Sequence, residues 1–255
     1  MEIKLTSYGA TEEVTGSCHL LNIDGYRILV DCGMYQGSWD NYVKNWDGFL
    51  FDPKNIDAVI LTHAHLDHCG RLPKLYAKGY NGPIYATGAT IDLAKIVLED
   101  SYFITNEKAF RKKMPKMYRQ ADVNKTMQSF VPLNYYQKQD LNPDISFKLH
   151  NAAHILGSSI VEIKAGNKTI VFSGDIGSED MPLVKDIDII KQADYVICEG
   201  TYGDRIHHDT KTRDKELIKA VQRATLNHST LLIAIFALER TQNILKVLND
   251  YYESH

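Results

Sequence analysis

The stretch LTHAHLDHCG places His63, His65, Asp67 and His68 within six positions, directly after the apolar residues Ala58, Val59, Ile60 and Leu61. Imidazoles and carboxylates are costly to cluster in a half-buried place unless something compensates them. A metal ion is the usual compensation. Helical zinc pairs stand at i and i+4. Here His63 and His65 stand at i and i+2, which puts both on one side of an extended segment. Asp67 and His68 are adjacent and must diverge or turn with the chain. One ion cannot easily take all four. Two neighbouring ions can, with His63 and His65 on one and Asp67 and His68 on the other. Nitrogen and oxygen donors without sulfur fit zinc, with manganese or iron as alternatives. A single histidine is more often a hydrogen-bonded core residue. Four potential ligands packed behind a buried strand are not explained that way.

Three other segments end in the same manner. NAAHILGSS places His154 in a loop before Gly157, and TIVFSGDIG places Asp175 at the end of an apolar strand. A carboxylate in that position can bridge two cations, one on each oxygen. RILVDCG puts Asp31 at a third strand end. A carboxylate near metal-bound imidazoles accepts their second N–H and fixes the tautomer. Four strand ends delivering His and Asp to one rim is the pattern of a di-metal hydrolase.

The elements that must position these residues can be read from periodicity and turn chemistry. Strands are expected at 4–5, 19–23 and 27–30, with an Asp24-Gly25 hairpin turn between the last two. A buried strand is expected at 56–61 and a short one at 84–86. Spacing predicts a helix over 90–106, capped by Thr90. Residues 108–138 are polar and basic, with Arg111, Lys112, Lys113, Lys116 and Arg119 around Tyr118. Such a run is a solvated helical face or a local phosphate contact. Strands follow at 146–150, 159–164, 168–172 and 195–198, then a helix at 211–226, a strand at 231–235 and a helix at 240–252. The pattern is a mixed α/β sandwich with a new βα unit starting near residue 205.

With 255 residues, 44% apolar and 24% charged, the chain can bury a sizeable core. Its net charge of −3 gives no overall pull towards nucleic acid, so any basic footprint is local. Cys18, Cys32, Cys69 and Cys198 form no CxxC pair. That argues against a disulfide framework or a thiolate zinc site and for a reducing compartment. No signal-peptide core or membrane-length apolar run is present. A cytoplasmic protein without membrane attachment is the expectation.

On these residues the chain resembles the metallo-β-lactamase superfamily, whose HxHxDH signature is here His63, His65, Asp67 and His68. Asp31, His154 and Asp175 follow the order of its usual companions. LTHAHLDHCGRLPKL, GPIYATGATIDLAKIVLEDS, AAHILGSS and FSGDIG resemble the β-CASP branch of nucleic-acid-processing nucleases, in particular the cleavage-and-polyadenylation endonuclease and its bacterial and archaeal relatives. CEGTYGDRIHHD resembles that branch's acidic ESTYG motif, with Glu199 as the acid and Gly200 in place of serine. IAIFALERTQNIL resembles the opening of the β-CASP domain, with Glu239 where a glycine is usual.

The resemblance implies a four-layer αββα sandwich, with the lactamase-type domain over 1–204 and the start of a β-CASP domain over 205–255. It implies two zinc ions, one on His63, His65 and His154, the other on Asp67 and His68, bridged by Asp175 and backed by Asp31. Asp67, Asp175 and Glu199 would be catalytic, and Gly157, Ser158 and Ser159 would offer backbone contacts to substrate. The implied activity is ribonuclease action on single-stranded RNA, endonucleolytic or 5′-exonucleolytic. In the family, further histidines follow the start of the β-CASP insert, and one of them completes the second zinc site. On that basis the second site is expected to be incomplete over these 255 residues and nuclease activity weak. His207 and His208 do not match the missing positions. Apolar surface at 231–235 and on the last helix would then stay open or be covered by a second copy in a homo-oligomer. Two other readings use the same residues. One is a di-zinc hydrolase of a small ester, thioester or lactam. The other is a catalytically impaired homologue with a binding or assembly role.

Overall fold

The computed structural model describes residues 1–179, 181–206 and 210–254; His207, His208 and His255 lie outside them. Two sheets stack face to face. The first runs in sequence order: β1 (Ile3–Ser7), β2 (His19–Ile23), β3 (Tyr26–Val30), β4 (Ala58–Ile60), β5 (Ile84–Thr87) and β6 (Phe130–Leu133). It is antiparallel from β1 to β3 and parallel from β3 to β6. The second holds β7 (Gln139–Asn142), β8 (Ile145–Asn151), β9 (Ser159–Ala165), β10 (Lys168–Phe172) and β11 (Tyr195–Ile197), with β11 parallel to β10 and the rest antiparallel. The helices are α1 (Trp39–Val43), α2 (Leu66–Cys69), α3 (Leu72–Ala77), α4 (Gly88–Arg111), α5 (Gln120–Gln128), α6 (Thr210–Leu226) and α7 (Arg240–Glu253).

Strand β4 explains the layering. Ile60, with Ile28 and Val30, joins Phe147, Leu149, Val161, Ile163 and Phe172 between the sheets. Val59 and Leu61 face the other way and pack with Leu72, Leu75, Ala94 and Leu98 of α3 and α4. A strand buried on both faces reads as a continuous apolar run. On the outer face of the second sheet, Ile160 and Val171 pack against Ile187 and Ile190 of an irregular segment. The result is the mixed α/β, two-sheet architecture expected from the sequence.

Local departures have local causes. Thr87, not Thr90, caps α4: its Oγ1 accepts from the Thr90 backbone N–H at 3.2 Å. Thr90 sits inside the first turn, and its hydroxyl donates to Gly157 O at 2.8 Å. The polar stretch 108–138 is not one helical face. It contains the end of α4, all of α5 and the edge strand β6. Pro132 and polar neighbours mask the alternation of β6, as edge strands permit. Residues 231–235 form no strand. They find no ladder partner among the described residues, and Leu232 is 92% exposed.

Two glycines let site-bearing loops touch. A Cβ on Gly33 would collide with the carbonyl of Asp67, and one on Gly177 with the carbonyl of Ala153. Gly177 N–H instead donates to Ala152 O at 2.9 Å, locking the loop after β10 to the loop after β8. Gly177→Ala must therefore push the Asp175 and His154 loops apart. It is expected to destabilise the fold by about 1–3 kcal/mol and weaken divalent-metal binding at least tenfold. Gly48→Ala, with no atom within 4 Å of the added Cβ, should change neither. Thermal unfolding and divalent-metal titration of both variants test this.

Candidate metal centre

The histidine motif leaves β4 and turns at once into α2, with His65 as the N-cap residue in extended conformation. Asp67 and His68 lie in the first turn of this short helix. The loop after β3 straps it down. Cys32 N–H donates to His68 O at 2.8 Å, Met34 N–H to Leu66 O at 2.9 Å, and Ser17 N–H to Asp67 O at 2.9 Å. His154 is held by Ser158, whose Oγ accepts from the N–H groups of His154 at 3.0 Å and Ile155 at 3.2 Å. Asp175 emerges from β10 just after Gly174, which has φ +54°.

These loops converge. His65 Nδ1 lies 3.1 Å from His63 Nε2 and 3.0 Å from His154 Nε2. Asp175 Oδ2 lies 3.7 Å from His63 Nε2 and 3.4 Å from His154 Nε2. All four donor atoms fall within 4.8 Å of one another. Around a tetrahedral zinc with bonds of about 2.0–2.1 Å, ligand atoms stand roughly 3.3 Å apart. The observed spacings bracket that value. Three ring nitrogens facing one another also cannot all be satisfied by shared protons, whereas one cation satisfies every lone pair. The donor chemistry and spacing fit a divalent metal ion.

The other oxygen of Asp175 points elsewhere. Asp175 Oδ1 lies 3.2 Å from His68 Nε2, while His68 Nδ1 lies 2.7 Å from Asp31 Oδ2. Asp31 is 1% exposed and has φ +61°, a left-handed conformation that Asp tolerates better than most residues. Its carboxylate accepts from Thr62 N–H at 2.8 Å, Thr62 Oγ1 at 2.9 Å and Ser17 Oγ at 3.2 Å. Thr62 Oγ1 has one proton, and Asp31 takes it. The contact of Thr62 Oγ1 with His63 Nδ1 at 3.0 Å then needs the proton on the imidazole. That leaves His63 Nε2 unprotonated and facing the other donors.

Electrostatics agree. Burial pulls His65 and His154 down to about 4, against the partial opposition of Asp175. Burial also holds His63 well below the ordinary range, with His68, His154 and His65 adding to the shift. Neutral imidazoles are the ligand form. Burial acts to lower His68 too, but Asp31 and Asp175 outweigh it and hold that ring well above its usual value. Burial acts to raise Asp175, and the surrounding histidines, led by His68, bring it below the carboxylate range. Burial raises Asp67.

His63, His65, His154 and Asp175 thus meet as one group, which does not include Asp67 or His68. His68 joins them through Asp175 Oδ1. Glu199 is expected to be catalytic; its Oε1 accepts from Ile176 N–H at 2.8 Å and its Oε2 from Thr201 N–H at 3.3 Å. It positions the chain beside Asp175. Gly157, Ser158 and Ser159 were expected to contact substrate, but Ser158 and Ser159 are buried. Gly157 O accepts from Thr87 and Thr90, and Ser159 N–H and Oγ both donate to Thr62 O. The hydroxyls of Ser158 and Ser159 are engaged inside the fold. Thr62 and Ser17 were missed; the only sign of Thr62 was its place directly before His63. Glu239, where a glycine is usual, has φ +67° and accepts from Leu156 N–H at 3.4 Å, beside the His154 loop. A cavity of about 330 Å³, lined by Ser17, Asp31, His68, Asp175 and Glu199, opens beside the centre.

This two-sheet α/β sandwich carries the His/Asp cluster at its strand ends, and residues 20–197 match the metallo-beta-lactamase superfamily domain. The chain belongs to that superfamily. It is 41% identical to ribonuclease TTHA0252 of Thermus thermophilus over 246 residues, covering 96% of this chain and 54% of that protein. It is 32% identical to the transcription termination factor FttA of Methanocaldococcus jannaschii, covering 98% of this chain and 40% of that protein. The chain therefore spans about half the length, or less, of these relatives. A crystal structure of a protein of unknown function from Enterococcus faecalis V583 shares the fold, with a TM-score of 0.52 at 16% identity over 89% of this chain and 58% of that one.

Protons compete with metal for the same lone pairs. Because burial brings His65 and His154 down to about 4, the metal ion on these rings is expected to survive as pH falls through 6.5 and to leave only as pH approaches 4, whereas an ion that used His68, held well above its usual value, would leave at higher pH. Metal content after dialysis at stepped pH measures this. A chain left with no metal at pH 6.5 would contradict the assignment of these rings.

Proposed function

We propose that this chain hydrolyses phosphodiester bonds in single-stranded RNA with two zinc ions. His63, His65 and His154 would hold the first, Asp67 and His68 the second, and Asp175 would serve both. The observation that carries the reading is the convergence of three ring nitrogens and Asp175 Oδ2, with Asp175 Oδ1 turned towards His68. The RNA substrate is supported by the name of the Thermus relative, a ribonuclease. Bound zinc supplies Lewis acidity towards a phosphoryl oxygen and an acidified water as nucleophile.

The chain's own residues do the rest. Asp31 holds the Nδ1 proton of His68, which leaves Nε2 directed at Asp175. Thr62 relays between Asp31 and His63, so both rings are oriented by one carboxylate. Glu199 fixes Ile176 N–H, which limits how far Asp175 can swing. The cavity beside Asp175 gives a phosphate room to approach. A boundary near residue 204, with a separate unit over 205–255, belongs to the same proposal. So does association of two copies through the exposed run that includes Leu232 and Phe236.

Asp175→Asn removes the charge shared by both ions. Zinc-dependent cleavage of labelled single-stranded RNA is expected to fall at least a hundredfold while circular dichroism stays unchanged. Full cleavage by the variant would remove Asp175 from the mechanism. Zinc-dependent hydrolysis of a lactam or thioester, with RNA left intact, would replace the RNA reading by the small-substrate one.

A further inference from the structure

One surface far from the metal centre is not used by this mechanism. Helix α1 carries Trp39 and Tyr42, and Trp46 follows one turn later. Their rings form a ladder, with centroids 5.9 Å apart at 30° for Trp39 and Tyr42, and 5.7 Å apart for Tyr42 and Trp46. The ladder is fixed from beneath. Trp46 Nε1–H donates to Pro115 O at 2.7 Å, and the hydroxyls of Tyr42 and Thr105 meet at 3.4 Å.

The end of α4 lies across the ladder and is basic. Residues 107–116 hold Lys108, Arg111, Lys112, Lys113 and Lys116 against one acid, Glu107, which pairs with Arg111. Lys108 Nζ sits 4.1 Å from the Tyr42 ring centroid and Lys112 Nζ 5.0 Å from that of Trp39. Trp39 is 40% exposed, and the four lysines are all exposed. In a chain of net charge −3, this is a local positive field over aromatic faces.

We infer that Trp39, Tyr42, Trp46, Lys108 and Lys112 form a second contact surface for single-stranded RNA, remote from the zinc ligands. Aromatic faces stack any base, and flanking lysines neutralise phosphates without reading sequence. An exposed cation–π contact is weaker than a base stack. An incoming base therefore displaces Lys112 from Trp39 and frees its ammonium for a phosphate. The site's distance follows from α4. The first turn is tied to Gly157 in the His154 loop through Thr87 and Thr90, whereas Lys108 and Lys112 lie about five turns along. At about 1.5 Å per residue, the two ends are separated by roughly 30 Å. A strand stacked at about 3.4 Å per nucleotide needs roughly nine nucleotides to reach both. The inference rests on the RNA reading of the metal centre.

The test uses the protein's own fluorescence, because its two tryptophans are Trp39 and Trp46. Oligouridylate of about 20 nucleotides is titrated into the zinc-loaded Asp175→Asn chain, in which cleavage is slowed at least a hundredfold and binding can be read before it. Tryptophan emission is expected to be quenched, with a trinucleotide binding at least tenfold more weakly. Lys108→Glu with Lys112→Glu should weaken the long oligonucleotide at least tenfold. The double change should also reduce the slope of log K against log salt by about 1.4, the value for two single-strand phosphate contacts. Zinc content checks that the variant is folded. Binding of the long RNA without quenching, or with unchanged affinity in the double variant, overturns the surface and leaves RNA hydrolysis standing. Quenching by RNA that the unsubstituted, zinc-loaded chain does not cleave upholds the surface and overturns the hydrolase reading instead.

Discussion

Crowding of ring nitrogens and carboxylates at a buried rim is the constraint on which this structure turns. His63 is fully buried, His65 and His154 partly so, and their facing nitrogens stand 3.0–3.1 Å apart. Without a cation such a cluster is held against desolvation and lone-pair repulsion. With a divalent ion it becomes a ligand set of three neutral rings and one anion. The rest of the fold supplies rigidity to keep the donors in place. Two sheets fix the strand ends, and the helical layer fixes the sheet that carries the histidine motif.

That rigidity is delivered mostly by backbone groups. Asp31 anchors Thr62, Ser17 and His68 at once. Ser158 and Ser159 tie the His154 loop to Thr62 and to itself. Gly177 joins the Asp175 loop to the His154 loop. Each of the four strand-end segments is therefore bonded to at least one other. The centre behaves as a single mechanical unit rather than as independent loops. Asp31 is where the strain collects, in a left-handed conformation that only its many partners make worthwhile.

Much of this was legible in the sequence, for physical reasons. The ligands follow apolar strands, and β4 is apolar throughout because it is buried on both faces. Four metal-type residues in six positions leave little else to explain them. What stayed hidden depends on tertiary partners. Ser158, Ser159 and Glu199 carry groups that bind substrate as readily as backbone, and the fold shows a backbone partner for each. Thr62 is an ordinary residue until Asp31 is placed behind it. Strand β6 has a proline and polar neighbours, so its edge position is invisible to alternation. Residues 231–235 have strand character, but a strand needs a neighbour, and none stands beside them among the described residues.

The central claim is that His63, His65 and His154, with Asp175, form a sulfur-free metal site although Cys69 lies next to His68. Cys69 is buried, its Sγ contacts Ala64 O at 3.4 Å, and it stays outside the donor group. Zinc-edge X-ray absorption on the protein loaded with one equivalent of zinc tests this most directly. The account predicts a single nitrogen and oxygen shell at about 2.0–2.1 Å with the outer scattering of three imidazoles. A sulfur shell at about 2.3 Å, or scattering from fewer than three imidazoles, would contradict it.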